Sequence, residues 1–176
     1  MTADEFIAWS EATPGRFELH DGVVVEMMAE RAVHADVKFA VQSALKTAIS
    51  AAGVPCRMLP DGMRVRVSAK IVYEPDALVY CGPRVAPDAV EVANPVLVVE
   101  VLSPSTAKVD RGDKLDNYFR IPGLMHYLIV DPVRRVAIHH TRQGEAGAIV
   151  IRLYHSGSIA MNPPDITIDV AGLLET

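Results

Sequence analysis

Glu100 stands inside Val96-Leu97-Val98-Val99-Glu100-Val101-Leu102, a run apolar on both alternating faces and so expected at the centre of a sheet. An unpaired carboxylate buried there is costly, or it takes up a proton and stays neutral. The residue therefore implies a cation or a hydrogen-bond network beside it, unless the strand end already lies in water. Asp76 follows Pro75 and opens the strand Ala77-Leu78-Val79-Tyr80. Alone it reads as a turn residue, since Pro-Asp pairs are common in turns. With Glu100 on a neighbouring strand it makes a pair of carboxylates at a sheet edge. Hard divalent cations such as Mg²⁺ take oxygen ligands of this kind.

Lys114 follows on the next predicted helix, where Asp110, Lys114 and Tyr118 share one face at i, i+4 spacing. An ordinary surface pair of Asp110 with Lys114 is the plainer reading. Lys108 and Arg111 make that helix locally basic. Glu18, in Phe17-Glu18-Leu19, alternates away from its apolar neighbours, as a residue on a solvated strand face does. His34 stands in the first turn of a long helix, where a surface histidine is equally unremarkable. Arg64 and Arg66 share a strand face with Ser68, opposite Val65 and Val67.

The elements that must carry these residues are legible in outline. Thr2-Ala3-Asp4-Glu5 is a capping box that starts a short helix bearing Phe6, Ile7 and Trp9. Arg16 to His20 and Val23 to Met28 read as strands joined by an Asp21-Gly22 turn. From Ala32 to Ala52 the residues Val33, Val37, Val41, Ala44, Leu45, Ala48 and Ile49 recur at helical spacing, and Gly53 suits the C-terminal cap. Strands are expected over Pro55 to Leu59, Met63 to Val67 and Ala77 to Tyr80. A Pro-rich loop over 82–95 precedes the strand from Pro95 to Leu102. Ser105 or Thr106 caps a helix of about 107–121, and an apolar strand runs from Met125 to Val130. Arg135 to Thr141 and Ala148 to Tyr154 form a hairpin, and Ile166 to Val170 is a last short strand. The order predicts an α+β fold, one domain over 1–176, with a mixed sheet and helices packed on it.

The chain has 176 residues, half of them hydrophobic, with a formal charge of −5. That composition excludes a disordered chain, and no apolar run approaches the length of a membrane span. No secretory signal is visible at Met1-Thr2-Ala3-Asp4. Cys56 and Cys81 form no metal-binding or redox motif and read as buried thiols in a reducing cytoplasm. Phosphate-binding glycine loops, H-E-x-x-H and EF-hand loops are absent. Ser103 lacks the glycines of a nucleophile elbow, and His139-His140 reads as structural. The acidic balance argues against coating nucleic acid by net charge alone.

Taken in order, Phe17-Glu18-Leu19-His20-Asp21-Gly22, His34, Glu74-Pro75-Asp76, Val99-Glu100-Val101-Leu102-Ser103-Pro104-Ser105, Asp113-Lys114 with Tyr118, and Tyr127-Leu128-Ile129-Val130-Asp131-Pro132 resemble the Uma2 family. That family is restriction-endonuclease-like and belongs to the PD-(D/E)-x-K nuclease superfamily. The resemblance implies a restriction-endonuclease-like mixed β-sheet flanked by helices, with additional β-hairpins, and phosphodiester hydrolysis in DNA dependent on Mg²⁺ or Mn²⁺. By position, Asp76 and Glu100 would ligate the metal. The superfamily's lysine belongs two residues after the glutamate, where this chain has Leu102. Lys114, on the following helix, would take its place. Glu18 would bind a second metal or position the first, and His34 would contact the phosphate. Arg64, Arg66, Lys108 and Arg111 would bind the DNA backbone. A cytoplasmic homodimer, able to cut both strands, fits this expectation. A module that binds nucleic acid without turnover, or a homo-oligomeric structural protein, are the rival readings.

Overall fold

The computed structural model describes residues 1–103, 112–144 and 147–175. In chain order its elements are α1 (Ala3–Glu11), β1 (Phe17–His20), β2 (Val23–Glu26), α2 (Ala32–Ala52), β3 (Cys56–Pro60), β4 (Val65–Ser68), β5 (Ile71–Tyr73) and β6 (Ala77–Cys81). There follow β7 (Leu97–Val101), α3 (Asp113–Tyr118), β8 (His126–Asp131), β9 (Val136–Gln143), β10 (Ala148–Tyr154), β11 (Ser158–Met161), β12 (Ile166–Asp169) and α4 (Ala171–Leu174). The fold is α+β, as the sequence predicts.

Six strands form the main sheet in the order β10-β9-β8-β7-β6-β3. Neighbours pair antiparallel, apart from the parallel pair β7–β8. The strand holding Glu100 is thus interior, as its two apolar faces require. Alternation along β7 sends Leu97, Val99 and Val101 into a core with Val37, Val41, Leu45 and Ile49 of α2. Val98 and Leu102 join the opposite core, with Tyr118, Ile121 and Tyr127. Glu100 shares the pleat of Val98 and Leu102, so it faces α3 rather than α2.

A second sheet, β2-β1-β5-β4, carries Glu18. Its hairpin turns at Asp21 and Gly22, with φ of 49° and 85°. Positive φ at both central residues is what a tight two-residue hairpin requires. The capping box at Thr2 and Glu5 is formed from both sides, and Phe6 of α1 packs on Phe17, Leu19 and Val72. Helix α2 spans the predicted residues and ends on Gly53 at φ 64°.

Three elements escape the sequence pattern. Strand β5 has only three residues, all buried, and shows no alternation. Strand β11 and helix α4 are four residues each. The helix expected over 107–121 is seen as α3 from Asp113; Ser105, Thr106, Lys108, Asp110 and Arg111 lie outside the described residues.

The reading of the cysteines is corrected. Cys56 and Cys81 are joined as a disulfide, with Cα atoms 3.9 Å apart. They are direct partners in the β3–β6 ladder, a relationship that 25 residues of separation hides. The two residues therefore no longer argue for a reducing compartment. Among the described residues no helix is long and apolar enough to cross a membrane.

Candidate active site

Strands β1 and β7 and helix α3 meet at the Lys114 ammonium. Lys114, on α3, donates from Nζ to Glu100 Oε1 at 2.9 Å and to Glu18 Oε1 at 2.9 Å. Tyr118, one turn further along α3, donates its hydroxyl to the same Glu100 oxygen at 2.9 Å. The i, i+4 spacing read from the sequence thus aims both side chains at one carboxylate. Glu18, Glu100 and Lys114 are all buried, so Glu18 is not on a solvated face. Glu74, just after β5, and Lys114 of α3 close around its carboxylate.

Glu18 is held by more than the lysine. Its Oε1 accepts the Glu74 N–H at 2.9 Å, and its Oε2 pairs with His20 Nε2 at 2.8 Å. Burial alone would raise its pKa. The Lys114 charge and these hydrogen bonds outweigh burial and hold the carboxyl at about 2. Burial and the neighbouring Glu100 and Glu18 charges push the Tyr118 phenol well above its ordinary value, so it acts as a donor.

Asp76 completes the strand-end pair. The β6–β7 ladder ends with Ala77 opposite Val99, so the next residue on each chain is Asp76 and Glu100. Asp76 Oδ2 accepts the N–H of Val101 at 2.7 Å. Gln42 of α2 donates to the Asp76 carbonyl at 2.9 Å, fixing the backbone there. Burial raises the Asp76 pKa, against the pull of the Val101 N–H and of His34 and Lys38.

His34 reaches the same place from α2, with Nε2 at 2.7 Å from the Val101 carbonyl and 3.6 Å from Asp76 Oδ2. One turn on, the buried Lys38 hydrogen-bonds Glu30 and Asp61 and lies 4.0 Å from Asp76 Oδ1. Arg16 bridges Glu30, Asp61 and Glu74 at 3.1, 3.2 and 2.7 Å. The sequence reading missed Lys38, Glu30, Asp61, Glu74 and Arg16. Lys38 stands one turn from His34 beside the apolar seam of α2, where a lysine reads as an ordinary flanking residue.

Two sets of donors could hold a cation. Asp76 and Glu100 are carboxylates at adjacent strand ends. Among the described residues, Glu30, His34 and Asp76 also bring ligand atoms within 4.8 Å of one another. The arginines lie apart from both sets in their contacts. Arg64 stands over the Phe6 ring at 5.6 Å, and Arg66 pairs with Asp4 at 2.6 Å and Glu91 at 3.0 Å. Lys108 and Arg111 lie outside the described residues.

Known proteins show the same fold. A crystal structure from Anabaena variabilis, described as a "putative nuclease belonging to DUF820", superposes with a TM-score of 0.77 at 14% identity, covering 99% of this chain and 98% of its own. Two proteins of Synechocystis named as uncharacterized are similar in sequence. One is 29% identical over 74% of this chain and 68% of its own length. The other is 26% identical over 82% of each. Residues 3–171 match the family model described as "Uma2: Putative restriction endonuclease", and the chain belongs to that family.

Proposed function

We propose that this protein hydrolyses phosphodiester bonds in DNA with a divalent cation, Mg²⁺ or Mn²⁺, held by Asp76 and Glu100. The observation that carries the reading is the pairing of these two carboxylates at adjoining strand ends, with a buried lysine hydrogen-bonded to one of them. Carboxylate oxygens are the ligands a hard divalent cation takes. When bound, the cation supplies Lewis acidity toward a phosphate oxygen and makes water a stronger acid.

The chain's own groups divide the remaining work. The Lys114 ammonium orients the attacking water or offsets charge that builds up on the phosphate. Tyr118 and Lys114 fix the rotamer of Glu100 through its Oε1. Glu18 holds Lys114 in place from the other side, which gives it a positioning role. His34 and Asp76 set the backbone of Val101, next to Glu100.

Part of the −5 charge sits in Glu18, Asp76 and Glu100, so it is a weak guide to the substrate. A second copy of the chain is the proposed partner. Among the described residues strand β10 is an edge of the main sheet, and it leaves Ile151 and Leu153 at 51% and 63% exposure. An apolar free edge is suited to pairing with another strand.

Supercoiled plasmid tests the activity. Wild-type protein should nick it with Mg²⁺ or Mn²⁺ and not in chelator, and Asp76→Asn should abolish nicking. Binding to DNA without metal uptake or cleavage would favour the non-catalytic module instead.

A further inference from the structure

We infer that Glu30, His34 and Asp76 form a second cation site that shares Asp76 with the first and selects transition-metal ions such as Mn²⁺ or Zn²⁺ over Mg²⁺. The inference deepens the hydrolytic reading, on which it rests for its purpose; its ligands are argued independently of Glu100.

The tautomer of His34 comes first. Its Nε2 is 2.7 Å from the Val101 carbonyl oxygen, which can only accept, so Nε2 carries the hydrogen. In a neutral imidazole Nδ1 is then a bare lone pair. That atom is buried and has no hydrogen-bond partner. Glu30 Oε2 faces it at 3.6 Å, beyond hydrogen-bond length, with a lone pair on each side. Two metal–ligand bonds of about 2.1 Å span such a separation.

The surroundings leave these atoms available. Glu30 Oε1 is taken by Arg16 and Lys38, which frees Oε2. Asp76 Oδ2 is taken by the Val101 N–H. Among the described residues Oδ1 has no hydrogen bond, its nearest cation being Lys38 at 4.0 Å. The cluster holds four carboxylates (Glu30, Asp61, Glu74, Asp76) against two cations (Arg16, Lys38). Two negative charges remain, which a divalent ion neutralises. A histidine that ligates metal usually donates its other ring N–H to a carbonyl or carboxylate, as His34 does to Val101. The imidazole nitrogen favours transition ions over Mg²⁺.

Counting bound Mn²⁺ by the loss of its free-ion EPR signal tests the site on the intact chain. Wild type should bind two ions, and His34→Gln and Glu30→Gln one each. Glu100→Gln should keep the ion that depends on His34. One ion in wild type that survives Glu100→Gln and disappears in His34→Gln supports this site and removes Glu100 from the ligands. An ion count unchanged by both His34→Gln and Glu30→Gln overturns the site. The imidazole ¹⁵N spectrum of wild type is the check that needs no variant. Zn²⁺ should move the Nδ1 resonance to a metal-bound position, and an Nδ1 that stays protonated against Glu30 in Zn²⁺ overturns the inference.

Discussion

Asp76 and His34 grip the same residue, Asp76 at its N–H and His34 at its carbonyl, with their own polar atoms 3.6 Å apart. Asp76 Oδ2 accepts the N–H of Val101 at 2.7 Å, and His34 Nε2 donates to its carbonyl at 2.7 Å. Val101 follows Glu100 on β7, so the end of β6 and the first turns of α2 jointly set where the Glu100 carboxylate points. A histidine that the sequence places on a helix surface thus acts on the backbone of an interior strand. Its side chain is 12% exposed.

Removing the Lys114 ammonium should destabilise the fold strongly. Glu18 and Glu100 would then face each other in a buried space with the lysine bridge gone. Loss of one partner from a buried ion pair costs about 3–5 kcal/mol. Lys114→Met should show a loss of that order in urea unfolding, and Glu18→Gln added to it should recover part of the loss. Equal stability of Lys114→Met and wild type would show that the bridge contributes nothing.

Acid should weaken the protein through His139. Burial, with the His126, His140 and Arg152 charges behind it, lowers the pKa of His139 from 6.5 to about 3. The unfolded chain therefore binds a proton between those values that the folded chain refuses. The stability from this group is complete above about pH 6.5 and is lost as pH falls toward 3, on the order of a few kcal/mol in all. His139→Gln should flatten the dependence of Tm on pH across that window. A wild-type Tm constant from pH 7 to 5 contradicts it.

The disulfide offers a direct chemical check. Unfolding the chain without reductant should expose no titratable thiol, and reduction should release two. The closed loop spans 25 residues of separation, and closing a loop of that size contributes about 3.5 kcal/mol in the chain-entropy account. The Cys56→Ser, Cys81→Ser pair should lose stability of that order.

How much was legible follows from where the information lies. Helix α2 was readable residue by residue, because a long apolar stripe and a capping glycine are both local signals. Asp76 and Glu100 stood out because a charge inside an apolar run is anomalous wherever the run folds. Glu18 gave the opposite impression. Its alternation is that of a solvated face, and its burial depends on α3, nearly a hundred residues on by sequence, and on Glu74, just after a three-residue strand with no pattern. Glu30 lies ahead of α2 in the unpatterned stretch Met27-Met28-Ala29-Glu30-Arg31, so nothing local marks it. Lys38 looked like any lysine on an amphipathic helix, and only the approach of Asp61 and Asp76 gives it a role. The cysteine pair needed the β3–β6 register, which no local signal supplies.

Single-turnover cleavage of an end-labelled DNA duplex by wild type, Glu100→Gln and Asp76→Asn, with and without Mg²⁺, tests the central claim most directly. The account predicts metal-dependent product from wild type and a loss of at least a hundredfold, about 2.7 kcal/mol at the barrier, in each folded variant. Cleavage at the same rate by wild type and both variants, or undiminished in chelator, would contradict it.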